Sequence, residues 1–395
     1  MPLHRKILHL DLDAFFCAVE ELRNPSLQGK PFAVGGSPER RGVVASCSYP
    51  ARAYGVHSAM PMAQAVRLCP DLIIVRHSRG VYSDASRQVM ARVRELTPLV
   101  EQLSIDEAFL DVSDLPDSME AIARRLQARI REDLHLPCSL GGATNKLVAK
   151  IANDVGKSRA GKRDYPNAIT IVPPGQEAAF LAPLPVRALW GVGPKTEERL
   201  HALGIFTIGQ LAAYPEKELG RLFGQHGWDL ARRARGIDHR AVAVQRGQAK
   251  SISKETTFAR DVADGRALRS TLRRLAASVA RSMRRKGYQG RTVKLKLRLS
   301  DFTTLTRQTT LARPTDDEQV IAKAVLTLFE NLWEPGQLVR LVGVGMTNLQ
   351  KGLVQLRLWE DQDDRVRNLQ TAMDALREKY GHDVVHRGVD EEEGM

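Results

Sequence analysis

A chain of 395 residues is too long for one ordinary core, since domains run to roughly 100–200 residues, so several domains are expected. Its 43% hydrophobic and 27% charged residues give the balance of a globular protein, and it has neither an apolar run near the roughly 20 residues that cross a bilayer nor an export signal, so a membrane or exported protein is not expected. The formal charge of +13 is unevenly placed: residues 246–313 hold 18 Lys and Arg against 4 Asp and Glu, a footprint of polyanion binding that charge spread for solubility would not leave.

In chain order, "ILHLDLDAFFCAVE" (7–20) alternates like a strand. Leu8, Leu10 and Leu12 fall on one side, His9, Asp11 and Asp13 on the other, and Phe15 and Phe16 follow. "RRGVVASCS" and "LSIDEAFLDVS" also read as strands, and the second sets Asp106 and Glu107 among Leu103, Ile105, Phe109 and Leu110. "SMEAIARRLQARIREDL" spaces Ile122, Leu126, Ile130 and Leu134 as an amphipathic helix. Such interspersion predicts an α+β or α/β domain. Prolines at 173, 174, 183 and 185 mark a boundary zone near 166–186, short helices with Gly turns run to about 240, and "DHRAVAVQRGQAKS" reads as a linker. The four cysteines form no CxxC pair and read as reduced thiols, and His382 and His386 lack an evident third metal ligand.

The two acidic groups carry the chemistry. Carboxylates crowded among apolar residues repel, and one takes up a proton unless a cation intervenes. A divalent cation such as Mg²⁺ takes carboxylate oxygens and shares phosphate ligands, and two such ions can activate an attacking oxygen and stabilise a leaving one. Acidic residues in exposed hairpin turns are the competing reading. On a helix, Lys146, Lys150 and Lys157 fall within about 40° of one another, at about 100° per residue, opposite Leu147, Ile151 and Val155. That stripe suits phosphate binding or an ordinary solvated face.

Five blocks stand in order: "LHLDLDAFFCAVEE", "GVVASCSYPARAYGVHSAMP", "LSIDEAFLDVS", "GGATNKLVAKIANDVGKSRAG" and "LWGVGPKTEERLHALGI". Together they resemble the Y-family of translesion DNA polymerases, most of all its bacterial DNA polymerase IV type, over roughly residues 5–350. The resemblance implies an α+β multidomain right hand with a ferredoxin-like palm, small fingers, a helical thumb carrying a helix-hairpin-helix, and an α+β little finger. The expected bounds are palm 1–22 and 79–166, fingers 23–78, thumb 167–240, linker 241–252, little finger 253–350, and a clamp-binding motif with tail 351–395.

By the same resemblance, Asp11, Asp106 and Glu107, with the carbonyl of Leu12, hold two Mg²⁺ ions, for which Mn²⁺ can substitute. Asp13 is not a usual ligand in that family, and its role stays open. Phe16 is the steric gate against a ribose 2′-hydroxyl, beside Phe15. Ser46, Tyr49, Arg52 and Lys157 meet the triphosphate of a dNTP, Arg52 through its planar donor fork. Small Gly42, Val43 and Val44 roof the nascent base pair and imply tolerance of damaged templates with modest fidelity.

"LWGVGPKTEERLHALG" resembles a helix-hairpin-helix in which Gly191 and Gly193 let the backbone approach a phosphate, with Pro194 opening the helix and Lys195 nearby; a plain helical turn is the alternative. "FGQHGWDLARRARG" reads as a degenerate second copy. In "RTVKLKLRLSDF", Val293, Leu295, Leu297 and Leu299 face one way and Lys294, Lys296 and Arg298 the other. Alternate strand side chains are about 6.6–7 Å apart, near twice the 3.4 Å rise per base, so the basic row suits DNA phosphates; a lysine-protected edge strand is the other reading. Gln355, Leu356, Leu358 and Trp359 resemble the family's sliding-clamp peptide, with a packed strand or tail as the alternative.

The expected function is therefore template-directed, low-fidelity extension of primer-template DNA past lesions, by a monomer in the cytoplasm at the nucleoid. A non-catalytic DNA-binding repair factor and another two-metal nucleotidyl-transfer enzyme compete with it. The intact carboxylates count against the first, the basic segment and triphosphate residues against the second.

Overall fold

The computed structural model describes residues 4–351 except 79, 162–163 and 245–246, and in the tail 372–373, 375–376, 379–380 and 384. Gln355, Leu356, Leu358 and Trp359 lie outside the described residues. Two compact units, Met1–Arg246 and Gly247–Met395, divide the chain within the stretch read as a linker. Among the described residues no helix is long and apolar enough to cross a membrane.

The first unit begins with β1 (Ile7–Leu12), α1 (Phe15–Arg23), β2 (Phe32–Gly35), β3 (Val44–Cys47), α2 (Tyr49–Ala53), α3 (Met62–Leu68) and β4 (Ile73–Arg76). Then come α4 (Val81–Leu96), β5 (Val100–Gln102), β6 (Glu107–Asp111), α5 (Met119–Leu134), β7 (Cys138–Ala143), α6 (Lys146–Arg159) and β8 (Ile169–Ile171). Five strands form one sheet in the order β5-β6-β1-β7-β8, and β3-β2-β4 form a small second sheet.

Period-two alternation in β1 decides what each face of the large sheet touches. Leu8, Leu10 and Leu12 join a core with Val89, Met90 and Val93 of α4 and Ile122, Leu126 and Ile130 of α5. Ile7, with Phe109 of β6, joins the opposite core, with Leu147, Val148 and Ile151 of α6. α5 starts at a capped turn, with the Ser118 hydroxyl accepting from Ala121 N. α6 is capped by Asn145, whose side chain accepts from Val148 N and donates to Gly236 O, and Asp238 accepts from Leu147 N. Two acceptors at its first turn fix where this helix lies over the sheet. The edge strand β8 comes after residue 166, the expected end of the palm.

Short helices follow: α7 (Glu177–Leu181), a 3₁₀ turn (Val186–Ala188), α8 (Pro194–His201), α9 (Ile208–Ala213), α10 (Glu216–Phe223) and α11 (Gln225–Ala234). The stretch read as a second hairpin copy, 223–236, holds the end of α10 and all of α11, and the two helices approach so closely that a Cβ on Gly227 would stand 1.9 Å from Leu219 O, while one on Gly220 would meet the Trp228 ring at 2.4 Å.

The second unit holds β9 (Ser251–Val262), α12 (Gly265–Lys286), β10 (Tyr288–Leu299), β11 (Thr304–Thr315), α13 (Glu318–Glu330) and β12 (Val339–Lys351). Its antiparallel sheet runs β11-β10-β12-β9, with Val293, Leu295 and Leu297 packed on Leu272, Val279 and Met283 of α12 and on Val325 and Phe329 of α13. β10 lies inside the sheet, paired on both sides, so its lysines do not protect an edge.

Candidate functional site

Asp11 and Glu107 are direct Cα partners in the β1–β6 register, and Leu12 N donates to Asp106 O at 3.0 Å. Two acidic stretches nearly a hundred residues apart thus meet at one end of the sheet, on the face that α6 covers. Along a helix four residues advance about 6 Å, and along a strand two advance about 6.6–7 Å. The match lets Asn153 and Lys157 meet His9 and Asp11 in turn: Asn153 Nδ2 is 3.0 Å from His9 Nδ1, and the Lys157 ammonium donates to Asp11.

The lysine stripe of α6 turns inward to carboxylates. Lys146 bonds Glu101 at 2.7 Å, Lys150 bonds Glu107 at 3.0 Å, and Lys157 bridges Asp11 and Asp13. Burial pushes the Asp11 carboxyl up to about 7 against the pull of Lys157, with Glu107 and Asp106 adding to the rise. His9 is driven well below its ordinary value, first by burial and then by Lys150 and Lys157, so it is neutral.

Asp13 has a structural explanation that the sequence did not offer. It is wholly buried, accepts the Ser139 hydroxyl at 2.8 Å and Asn167 N at 3.1 Å, and lies 3.0 Å from Lys157 Nζ.

A cavity of about 680 Å³ opens beside these groups. Asp11, Leu12, Phe15, Phe16, Ser46, Tyr49, Arg52, Asp106 and Lys157 all line it, whereas Glu107 does not. The turn from β1 into α1 brings the phenylalanines there through Ala14, a non-glycine residue at φ 42°. A left-handed alanine costs roughly 1–2 kcal/mol, and strain of this kind collects at functional sites. Phe16 packs on Tyr82, with centroids 4.4 Å apart, and edge-on against His77 at 5.1 Å; Phe15 is buried in the core. Ser46 accepts from Cys17 Sγ at 3.6 Å. The Arg52 guanidinium lies over the Tyr49 ring at 4.8 Å and donates through Nε to Cys47 O. Burial above all pushes the Tyr49 hydroxyl up to about 12, so it stays a donor. Gly42 packs against Gly36, where a Cβ would stand 2.2 Å from its carbonyl carbon, and neither it nor Val43 nor Val44 lines the cavity.

The carboxylates are all-oxygen donors suited to a hard cation, and the raised Asp11 is the mark of a group that a cation would relieve. Their side chains face different partners, Asp106 its neighbour Ser104, Glu107 Lys150 and Asp11 Lys157. Among the described residues no three His, Cys, Asp or Glu side chains gather into a metal-ligand cluster.

In the hairpin before α8, Gly191 has φ 104° and Gly193 is the N-cap, followed by Pro194 in the first turn. Arg233 donates to Trp190 O at 3.2 Å and Arg187 to Val192 O at 3.2 Å, which fixes the loop from within, while Lys195 is exposed. In the second unit Lys294 and Lys296 line an open cavity of about 630 Å³ on the sheet face away from α12, with Arg307, Gly343 and Gly345. Lys296 pairs with Glu255 at 2.8 Å, and Arg298 donates to Thr304 at 2.9 Å.

Comparison with known proteins bears on this arrangement. The impB/mucB/samB family model matches residues 10–154, its C-terminal domain model residues 249–358, and the IMS family HHH motif residues 174–205. The chain is 39% identical over 388 residues to a protein named DNA polymerase IV from Dehalococcoides mccartyi (strain CBDB1), covering 97% of each. It is 41% identical over 352 residues to a DNA polymerase IV from Listeria innocua, covering 88% of this chain and 96% of that one. The chain belongs to the Y-family of DNA polymerases. A solved Y-family DNA polymerase chimera, 24% identical, shares the fold at a TM-score of 0.76 over 88% of this chain and all of that one. As a Y-family member the chain has the right-hand fold expected from its sequence, and it depends on divalent metal.

Proposed function

We propose that this Y-family member is a DNA-directed DNA polymerase that extends a primer past damaged template bases with dNTPs, and that its catalytic centre is Asp11, Asp106 and Glu107. The observation that carries the assignment is the register of Asp11 opposite Glu107, with Asp106 bonded through its carbonyl to Leu12, beside a cavity that Asp11 and Asp106 share with Tyr49, Arg52 and Lys157.

Asp11, Asp106, Glu107 and the Leu12 carbonyl would hold two Mg²⁺ ions, or Mn²⁺ in their place. When bound, such ions lower the pKa of the primer 3′-hydroxyl and offset charge on the phosphoryl group being transferred. The protein's own share is positioning. Arg52 and the Tyr49 hydroxyl donate to the triphosphate, with Ser46 beside them. Lys157, already carrying a positive charge between Asp11 and Asp13, gives one of its donors to phosphate oxygens. The Phe16 ring, backed by Tyr82 and His77, fills the space that a ribose 2′-hydroxyl would need, with Phe15 beneath it.

DNA is held without reading sequence. Gly191, Gly193 and Lys195 suit one backbone phosphate at the start of α8, and Lys294, Lys296 and Arg298 suit a run of phosphates along the little finger. The divisions expected from the sequence, from palm to tail, are kept in this reading, with β8 joined to the palm sheet. Residues 355–359 would recruit a sliding clamp. A cytoplasmic, nucleoid-associated monomer suits these substrates.

Primer extension with single dNTPs and Mg²⁺ tests the centre: Asp106→Ala should abolish product and leave salt-sensitive DNA binding intact, and persistent extension would refute the assignment. Deletion of residues 355–359 should remove clamp-stimulated synthesis and spare basal synthesis.

A further inference from the structure

Tyr49 forms part of a wall between two cavities. One is the cavity of about 680 Å³ beside the carboxylates; the other, about 400 Å³, lies behind it and is lined by Glu21, Arg131, His135, Asp164 and Tyr165 as well as Tyr49. An aromatic ring with open space behind it can swing away from its ligand unless something holds it.

Two neighbours hold this ring. Arg52 covers it at 4.8 Å, and Tyr165 meets it edge-on with centroids 5.2 Å apart and planes at 68°. Tyr165 is itself fixed. Its hydroxyl donates to Glu21 Oε2 of α1 at 2.8 Å. The chain just beyond it is pinned to the sheet, since Asn167 N donates to Asp13 at 3.1 Å and Ala168 N to the Ser139 hydroxyl at 3.0 Å. The residues that anchor Lys157 from below therefore also anchor the segment that backs Tyr49.

We propose that Tyr165 is a positioning residue for the incoming nucleotide: it closes the rear of this wall and holds Tyr49 toward the triphosphate, taking its own place from Glu21. The proposal rests on the reading of Tyr49 as a triphosphate contact. Ordering a donor before its ligand arrives removes a cost otherwise met at binding, so Tyr165 governs dNTP affinity and leaves the transfer step alone.

Single-nucleotide incorporation by the full chain, with KM and kcat for the dNTP, DNA affinity and thermal midpoint measured for each variant, tests this. Tyr165→Ala is expected to raise KM roughly 3- to 10-fold with kcat within about twofold of wild type and DNA affinity unchanged. Tyr165→Phe, which keeps the ring and loses the Glu21 bond, should raise KM less. In a Tyr49→Ala background, Tyr165→Ala should add nothing further. An unchanged KM in Tyr165→Ala, or an equal rise in both backgrounds, or a loss confined to kcat overturns the proposal while Tyr49→Ala still raises KM. An unchanged KM in Tyr49→Ala instead removes the triphosphate reading, and the proposal with it. Should Tyr165→Ala fail to fold, Tyr165→Phe decides, and a wild-type KM there overturns the role of Glu21 and Tyr165 together.

Discussion

The Lys157 ammonium stands 3.0 Å from Oδ1 of Asp13, a carboxylate with no exposure to solvent. It also meets Asp11. Burial alone would lower the Lys157 pKa, but the two carboxylates hold it above its ordinary value. Asp13 is fixed independently by Ser139 and Asn167, so it anchors the lysine from below while Asp11 faces the cavity. Removing it as Asp13→Ala leaves Lys157 short of one acceptor and orphans a hydroxyl and an amide. The expected loss is about 3–5 kcal/mol of unfolding free energy, against about 1 kcal/mol for Ser139→Ala, read from urea denaturation.

Chelation of divalent metal should stop extension by the wild-type enzyme, and added Mg²⁺ or Mn²⁺ should restore it. A second readout separates binding from catalysis: with dNTP present, Mg²⁺ should raise the thermal midpoint of the wild type. That rise should vanish in Asp106→Ala. A midpoint that responds equally in both would place the ion elsewhere.

The proposed sugar gate would rest on one ring, Phe16, held by Tyr82 and His77. Phe16→Ala should raise incorporation of ribonucleotides relative to deoxynucleotides by about 10²-fold, because a clash rather than a missing contact enforces the choice. Competition assays with matched base and differing sugar would measure it. An unchanged sugar preference would remove the assignment.

How much of this was legible in the sequence depends on the range of the interaction. Alternation in β1 and β10, the amphipathic spacing of α5 and the alignment of three lysines along α6 all follow from local periodicity. What the stripe touches did not: Lys146, Lys150 and Lys157 read as a phosphate-facing row, yet each finds a carboxylate on β1, β5 or β6, or in the turn after β1. The burial of Asp13 depends on Ser139 and Asn167, which lie 126 and 154 residues away. Tyr165 gave no signal, since a lone tyrosine before a proline shows nothing of the ring it will meet. The lysines of β10 read equally well as an edge guard, because pairing on both sides is invisible within one strand.

Gly191 sits at φ 104°, and a Cβ there would come 2.8 Å from Arg233 Nη1. The arginine can give way, but only by loosening its bond to Trp190 O. Gly191→Ala should therefore cost about 1–3 kcal/mol of stability and weaken DNA binding severalfold, with the dNTP KM unmoved. Fluorescence anisotropy on a primer-template duplex would show it.

Salt dependence should distinguish the two lysines of β10. Lys294→Ala should flatten the slope of log affinity against log salt by roughly 0.9. Lys296 is already neutralised by Glu255 at 2.8 Å, so Lys296→Ala should change the slope less, and Glu255→Gln should steepen it.

The shared step length of α6 and β1 sets where this chain tolerates a change of length. One residue inserted between Asn153 and Lys157 would swing the ammonium about 100° off Asp11 while the histidine contact stayed in place. No side-chain substitution could undo that swing. Beyond the helix the next fixed points are Tyr165, bonded to Glu21, and Asn167, tied to the sheet through Asp13. A one-residue insertion in α6 should therefore be inactive however well it folds.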